Sequence, residues 1–236
     1  MLALVDGDIV TYRIGFTTED TDHQIACWRA HDLMQTLIRN VDATEVRVFL
    51  TEESDPNAFR KKVYPEYKAH RVKPRPKWYK ELRDFLMVEY NAEVIKELEA
   101  DDAMAIAQME SKVDSVICSI DKDLKQIPGN HFDFVKGEWV EVEYFQGLKH
   151  FYKQLLMGDS SDNIKGIYKM GPKKAESALA SATTEEEMFD ICRSLYGNDE
   201  EMLMNGRVLW IWRNWDDDWR NHYNALKSED EGRESC

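Results

Sequence analysis

The chain has 236 residues, 43% hydrophobic and 32% charged, which is long enough to bury a core and ordinary for a globular protein. No apolar run approaches the ~18 residues of a membrane span, and no signal-peptide pattern opens the sequence, so a cytoplasmic protein without a membrane partner is expected. A net charge of −14 speaks against a surface that coats nucleic acid indiscriminately, and the cysteines (Cys27, Cys118, Cys192, Cys236) form no CxxC pair that would suggest zinc or a disulfide framework.

In chain order, "LALVD" (2–6) is an apolar run closed by an acid and predicts a strand, and "IVTYRIGF" after it suits a helix. A helical pattern covers about 28–40, and "EVRVFL" (45–50) is a β-branched strand. Between Arg60 and Lys80 stand nine basic residues, Lys73 among them, against the single acid Glu66. A local basic stretch in an acidic protein directs an anion to one place, although a solvated basic loop would carry the same charge. Helical patterns return at 76–86 and at 100–111, where Ala103, Ile106 and Ala107 form a stripe; "VEYNAEVI" (88–95) is a weaker strand and "DSVICSI" (114–120) a clear one. Strands alternating with helices predict an α/β fold with a mostly parallel sheet. Beyond about 150 the strand signals vanish. "LKHFYKQLLM" and "PKKAESALA" are helical, the latter with Pro172 at a favoured first-turn position, so a C-terminal helical subdomain is expected. Trp210, Trp212, Trp215 and Trp219 are read as packing residues, and "SEDEGRESC" as a frayed tail.

Acids punctuate this pattern. Asp6 closes the first strand, Glu52, Glu53 and Asp55 follow the second, Asp121 and Asp123 follow "VICSI", and Glu99, Asp101 and Asp102 open a helix in "LEADDAMA". Asp159 and Asp162 form a fifth set. Any one set could serve a helix start. In an open parallel sheet, however, ligands gather at the carboxyl ends of the strands. So many carboxylates there cannot stay ionised together without cations. Hard divalent ions answer that need; Mg²⁺ is the expected cofactor, as two ions, with Mn²⁺ as the alternative.

The stretch "GDSSDNIKGIYKMGPKKAE" places Asp159 and Asp162 beside a loop from Gly166 to Gly171 that leads into a helix start, where a phosphate is readily held. Lys165, Lys169, Lys173 and Lys174 add charge without sequence readout. A nucleotide P-loop is excluded, because Pro172 follows Gly171 where that motif needs Lys and a helix precedes the loop.

"LVDGD", "VYPEYKAHR", "LEADDAMA", "ICSIDKDLKQIPG" and "GDSSDNIKGIYKMGPKKAE", in this order from residue 2 to about 180, resemble the 5′ nuclease family: flap endonucleases, the 5′-nuclease domain of bacterial DNA polymerase I and, closest, the phage 5′–3′ exonucleases. The resemblance implies an α/β, PIN-like (Rossmann-like) sheet domain over 1–147 with a helical arch about 60–90. It further implies a helical subdomain over 148–227 with a helix–hairpin–helix module, and a tail over 228–236. By position it makes Asp6, Glu99, Asp101, Asp102, Asp121 and Asp123 metal ligands, with Asp159 and Asp162 completing the second site; Asp6 and Asp102 are taken as catalytic. The acid after the second strand is left as Glu52, Glu53 or Asp55. Lys68 and Arg71 match the arch pair on the scissile phosphate, Tyr67 a base-stacking residue, and Arg13 a further phosphate contact. The hairpin residues Lys165, Gly166, Lys169, Gly171, Lys173 and Lys174 would bind duplex backbone, with K⁺ on the loop carbonyls, although Lys169 stands where a Gly is common.

The implied activity is structure-specific hydrolysis of DNA at 5′ ends, nicks or flaps, with an RNA–DNA hybrid as an alternative substrate, by a monomer. Two other readings compete. "LVDGDIVT" resembles the nucleophile strand of haloacid-dehalogenase-type phosphatases, with Asp6 attacking, but leaves "LEADDAMA" without a role. A catalytically inactive DNA-binding relative would have no use for its paired acids.

Overall fold

The structure, a computed structural model, describes residues 1–71 and 74–234, with side chains to residue 228; Lys73 of the basic stretch and Cys236 lie outside the described residues. The first half runs β1 (Leu2–Asp6), α1 (Gly7–Thr17), α2 (His23–Asn40), β2 (Glu45–Thr51), α3 (Phe59–Val63), α4 (Tyr79–Tyr90), β3 (Glu93–Ile95), α5 (Ala100–Glu110) and β4 (Ser115–Cys118). A 3₁₀ turn (Asp123–Gln126) leads to β5 (Gly129–Asp133), β6 (Glu138–Val142), α6 (Tyr144–Met157), β7 (Gly158–Asp159) and β8 (Ile164–Lys165). Then follow α7 (Pro172–Ala178), α8 (Glu185–Tyr196), α9 (Asp199–Leu209) and α10 (Trp219–Glu234).

All five residues of β1 are buried, as a parallel strand covered on both faces requires. The six-stranded sheet has the order β3-β2-β1-β4-β5-β6, parallel except for the β5–β6 pair. From β1 the chain travels outward to β3 on one side, then returns to β4 on the other. The carboxyl ends of β1 and β4 therefore flank a topological switch point, where a crevice opens. One face buries Val10, Met34, Leu82 and Leu86 from α1, α2 and α4; the other buries Met104 and Ile106 from α5 together with Ile211. A third cluster, with Phe151, Trp210 and Trp219 at its centre, joins the C-terminal helices.

Several sequence expectations are corrected in detail. β5 and β6 carry no clear strand signal: four of the five β6 residues are exposed, and β5 (GNHFD) has Phe132 as its one apolar residue. Only 93–95 of the weak 88–95 strand is extended; residues 88–90 finish α4, which Asn91 ends in a left-handed conformation (φ 50°). Of the residues 60–90 expected to form an arch, 79–90 form α4, which packs Leu82 and Leu86 into the core. The expected tail begins inside α10, which continues to Glu234; a helix already nucleated by the burial of Trp219 and Tyr223 propagates cheaply. Trp210 and Trp219 are wholly buried around Phe151, with ring centroids 4.8 and 5.2 Å away, whereas Trp215 is exposed.

Candidate active site

Asp6 leaves β1 and caps α1: its Oδ1 accepts from the Ile9 amide at 2.9 Å, and its Oδ2 from the Ser119 hydroxyl at 2.7 Å. Ser119 follows β4 and also accepts from the Asp121 amide at 3.0 Å, so one hydroxyl ties the ends of the two central strands. Asp121 in turn accepts from the Asp123 amide at 2.9 Å, and Gln154 of α6 donates to Asp123 at 2.6 Å. Glu99 precedes α5 and Asp101 lies in its first turn. Asp6, Glu99, Asp101, Asp121, Asp123 and Asp162 line one cleft of about 690 Å³, together with Lys68 and Arg71.

These acids are under electrostatic stress. Burial, then Asp8 and Asp121, push Asp6 up to about 7, against the hydrogen bonds from Ile9 and Ser119. Burial, Asp121 and Asp159 likewise push Asp123 up to about 7, and burial with Asp6 and Asp121 raises Asp101. Glu99 goes the other way. Burial alone would raise it, but Lys68 and Arg60 overrule that and hold it at about 2. Asp159 is buried behind the cleft, accepts from Ser161, and is held below the usual carboxylate range by that bond and Lys122, which outweigh its burial.

Asp102 is a correction. It does not line the cleft but is fully buried beneath it. Arg60 donates to it twice, at 2.5 and 2.8 Å, and the amides of Glu99 and Trp212 donate at 3.0 and 3.1 Å. Each oxygen thus has two donors, and no lone pair remains for a metal. Arg60 also reaches the carbonyls of Val208 and Trp210. The pair pins the base of the arch, the start of α5 and the C-terminal segment together.

Tyr67 is a second correction: 3% exposed and donating to Glu99 at 2.9 Å, it has no face to offer a base. Lys68, in a left-handed conformation (φ 54°), places its Nζ 2.8 Å from Glu99, and its amide donates to the Asp162 carbonyl at 3.0 Å. Arg71 pairs with Asp162 and donates to the Ser161 carbonyl at 3.0 Å. The arch turn therefore rests on the 159–163 turn. Of the acids after β2, Glu53 is held by Arg75 at 2.7 Å, Glu52 faces Lys96 at 3.8 Å, and Asp55 accepts from the Asn57 and Glu97 amides.

Arg13 is exposed on α1 and does not line the cleft. Lys165, Lys169, Lys173 and Lys174 are exposed around the hairpin, Lys169 lying 5.0 Å from the Tyr168 ring. Gly166 allows close approach of backbones, since a Cβ there would sit 2.1 Å from the Met157 carbonyl carbon. Gly171 caps α7 in open space. Sequence reasoning gave no role to Tyr12 and Tyr79, which line the cleft, or to Arg83, which donates to Asp8. Arg60 was read only as part of the basic stretch, and Asp8, two residues after Asp6, only as the acid of the phosphatase reading.

The donor set suits a hard divalent cation: all oxygen, several carboxylates raised by burial and by one another, one open cleft. Among the described residues, no group of three or more acidic, His or Cys side chains is already gathered as a metal cage. The acids line one open cleft, and a Mg²⁺ ion held there would keep several waters.

A family model described as "5'-3' exonuclease, N-terminal resolvase-like domain" matches residues 1–154. A 5'-3' exonuclease of Buchnera aphidicola is 26% identical over 221 residues, 85% of this chain and 75% of that protein. Flap endonuclease Xni of Shewanella baltica is 25% identical over 223 residues, 87% of this chain and 84% of its own. Among solved structures, the T5 D15 protein co-crystallized with metal ions superposes with a TM-score of 0.75 at 16% identity, covering 96% of this chain and 98% of that one. The T5 D15 flap endonuclease in a complex with DNA and metal ions gives 0.73 at 16% identity, covering 96% of this chain and 98% of its own. This likeness shows the fold.

Proposed function

The chain belongs to the 5′–3′ exonuclease family, and on that premise we propose that it is a divalent-metal-dependent, structure-directed 5′ nuclease acting on DNA. The observation that carries this is the convergence of Asp6, Glu99, Asp101, Asp121, Asp123 and Asp162 on one cleft that also receives Lys68 and Arg71. Asp6, Glu99, Asp101, Asp121 and Asp123 would hold Mg²⁺, with Asp162 at the rim and Asp159 behind Asp123. When bound, two such ions supply Lewis acidity, an activated water and support for the departing oxygen.

The chain's own groups do the remainder. Ser119 fixes the Asp6 carboxylate, and Tyr67 fixes Glu99. Lys68 and Arg71 balance the charge that develops on the scissile phosphate. Lys165, Lys169, Lys173 and Lys174 grip duplex backbone without reading sequence. An aspartyl-phosphatase reading gives no task to Glu99, Asp101 or Asp123, which line the same cleft.

The test uses end-labelled 5′-flap, nicked and blunt duplex DNA with Mg²⁺ or with chelator. The expected outcome is a metal-dependent product ladder starting at the 5′ end or at the flap junction. Intact DNA, under conditions where the protein demonstrably binds it, would sink the reading.

A further inference from the structure

We propose that Asp8 is one of the acids that hold the divalent ion, and that Arg83 is a built-in cation competing with that ion for Asp8. The inference rests on the metal-dependent reading of the cleft. Asp8 lies in the first turn of α1, where a helix start would ordinarily explain an acid. Its position is more constrained than that. Gly7 presses this turn onto β2, since a Cβ there would lie 2.7 Å from the Phe49 carbonyl. Asp8 Oδ2 then accepts from the Thr51 amide at 3.0 Å, which fixes the carboxylate at the mouth of β2. It lines the same cleft as Asp6, Glu99 and Asp101.

Lone-pair accounting separates Asp8 from Asp102. A carboxylate offers about four acceptor positions. Asp102 has donors on all of them and is fully buried. Asp8 accepts from the Thr51 amide on one oxygen and from Arg83 at 2.8 Å on the other, the Thr51 hydroxyl adds a third donor, and its side chain keeps 24% of its surface. One acceptor position of the four therefore remains without a protein donor, on a carboxylate that lines the cleft. Asp55, by contrast, does not line the cleft and turns onto neighbouring amides.

Arg83 is well placed to oppose a metal. Its side chain is 7% exposed and is held by the Thr51 carbonyl at 2.8 Å as well as by Asp8. A poorly solvated cation that cannot swing away reduces the pull of Asp8 on any second cation.

The experiment titrates Mn²⁺ into the full chain, reading free ion by electron paramagnetic resonance, for wild type, Asp8→Asn, Arg83→Met and Asp55→Asn; a thermal melt checks that each is folded. Asp8→Asn should weaken Mn²⁺ binding by about 10–100-fold. Arg83→Met should tighten it, and Asp55→Asn should leave it unchanged. Affinity unaltered by Asp8→Asn, or weakened equally by Asp8→Asn and Arg83→Met, would overturn the proposal, because Asp8 would then be only the anchor of Arg83. If Arg83→Met does not fold, the contrast of Asp8→Asn with Asp55→Asn decides alone. Wild type that binds no Mn²⁺ would instead remove the metal reading on which the proposal stands.

Discussion

Asp101 and Asp102 are adjacent in sequence and have opposite surroundings. Both are legible as acids opening a helix, but which one faces a cleft depends on Arg60, Val208, Trp210 and Trp212, partners that no local pattern reveals. Asp102→Asn leaves Arg60 buried without its hydrogen-bonded counter-charge, with only Glu99 at 3.6 Å opposite it. Loss of one partner of such a pair costs about 3–5 kcal/mol, which a urea melt would read as a lowered midpoint. Asp101→Asn removes a crowded charge, so it should keep or raise stability without metal while abolishing cleavage. A stable but inactive Asp102→Asn, with a destabilised Asp101→Asn, would reverse the assignment. The pH dependence follows from the same crowding. Asp6 and Asp123, raised to about 7, bind protons in the folded state that the unfolded chain releases near its ordinary value of 3.8. Their contribution to stability is complete below that value and is lost as pH rises through about 7. Divalent cations would replace those protons. The rise in melting temperature on adding Mg²⁺ should therefore be larger at about pH 8 than at about pH 5, and an equal rise at both would contradict the scheme.

At the scale of elements, the hairpin between α6 and α7 shows what sequence can and cannot deliver. Its glycines and lysines are conspicuous, yet the glycines do different jobs. Gly158 has φ 70°, and a Cβ on it would stand 2.2 Å from the Gly166 nitrogen, so β7 and β8 can only pair with glycine there. Gly171 has open space around it and an extended conformation. Gly158→Ala should therefore cost at least roughly 1–3 kcal/mol from backbone strain and weaken DNA binding with it. Gly171→Ala should be nearly neutral in a thermal melt. Equal effects would mean that the close approach of β7 and β8 does not matter. The parallel strands β1 and β4 were readable because burial makes them continuous apolar runs, and β2 because Val46 and Val48 lead into the buried run at 48–50. β6 was not, because an exposed edge tolerates almost any side chain, as Glu138, Trp139 and Glu141 show; β5, paired on both sides, was not because Gly129, Asn130, His131 and Asp133 leave Phe132 as its one apolar residue.

Over the whole molecule, charge is segregated. With nine basic residues against one acid between Arg60 and Lys80, that stretch carries +8 and the remaining chain −22 within a total of −14. On the proposed function, the acidic body repels DNA, and the basic stretch and the exposed lysines of the hairpin are the groups proposed to bind it. Such binding releases counterions, and log affinity should fall linearly with log salt, by about 0.9 per phosphate neutralised on duplex DNA. Substituting Lys169, Lys173 and Lys174 together by Ala should flatten that slope by up to about three times this amount. The flattening should be alike for unrelated DNA sequences, because phosphate contacts position without specifying. Fluorescence anisotropy with the inactive Asp101→Asn variant would measure the slope without cleavage. A slope unchanged by the triple substitution would place the duplex elsewhere and leave the hairpin as a structural brace between α6 and α7.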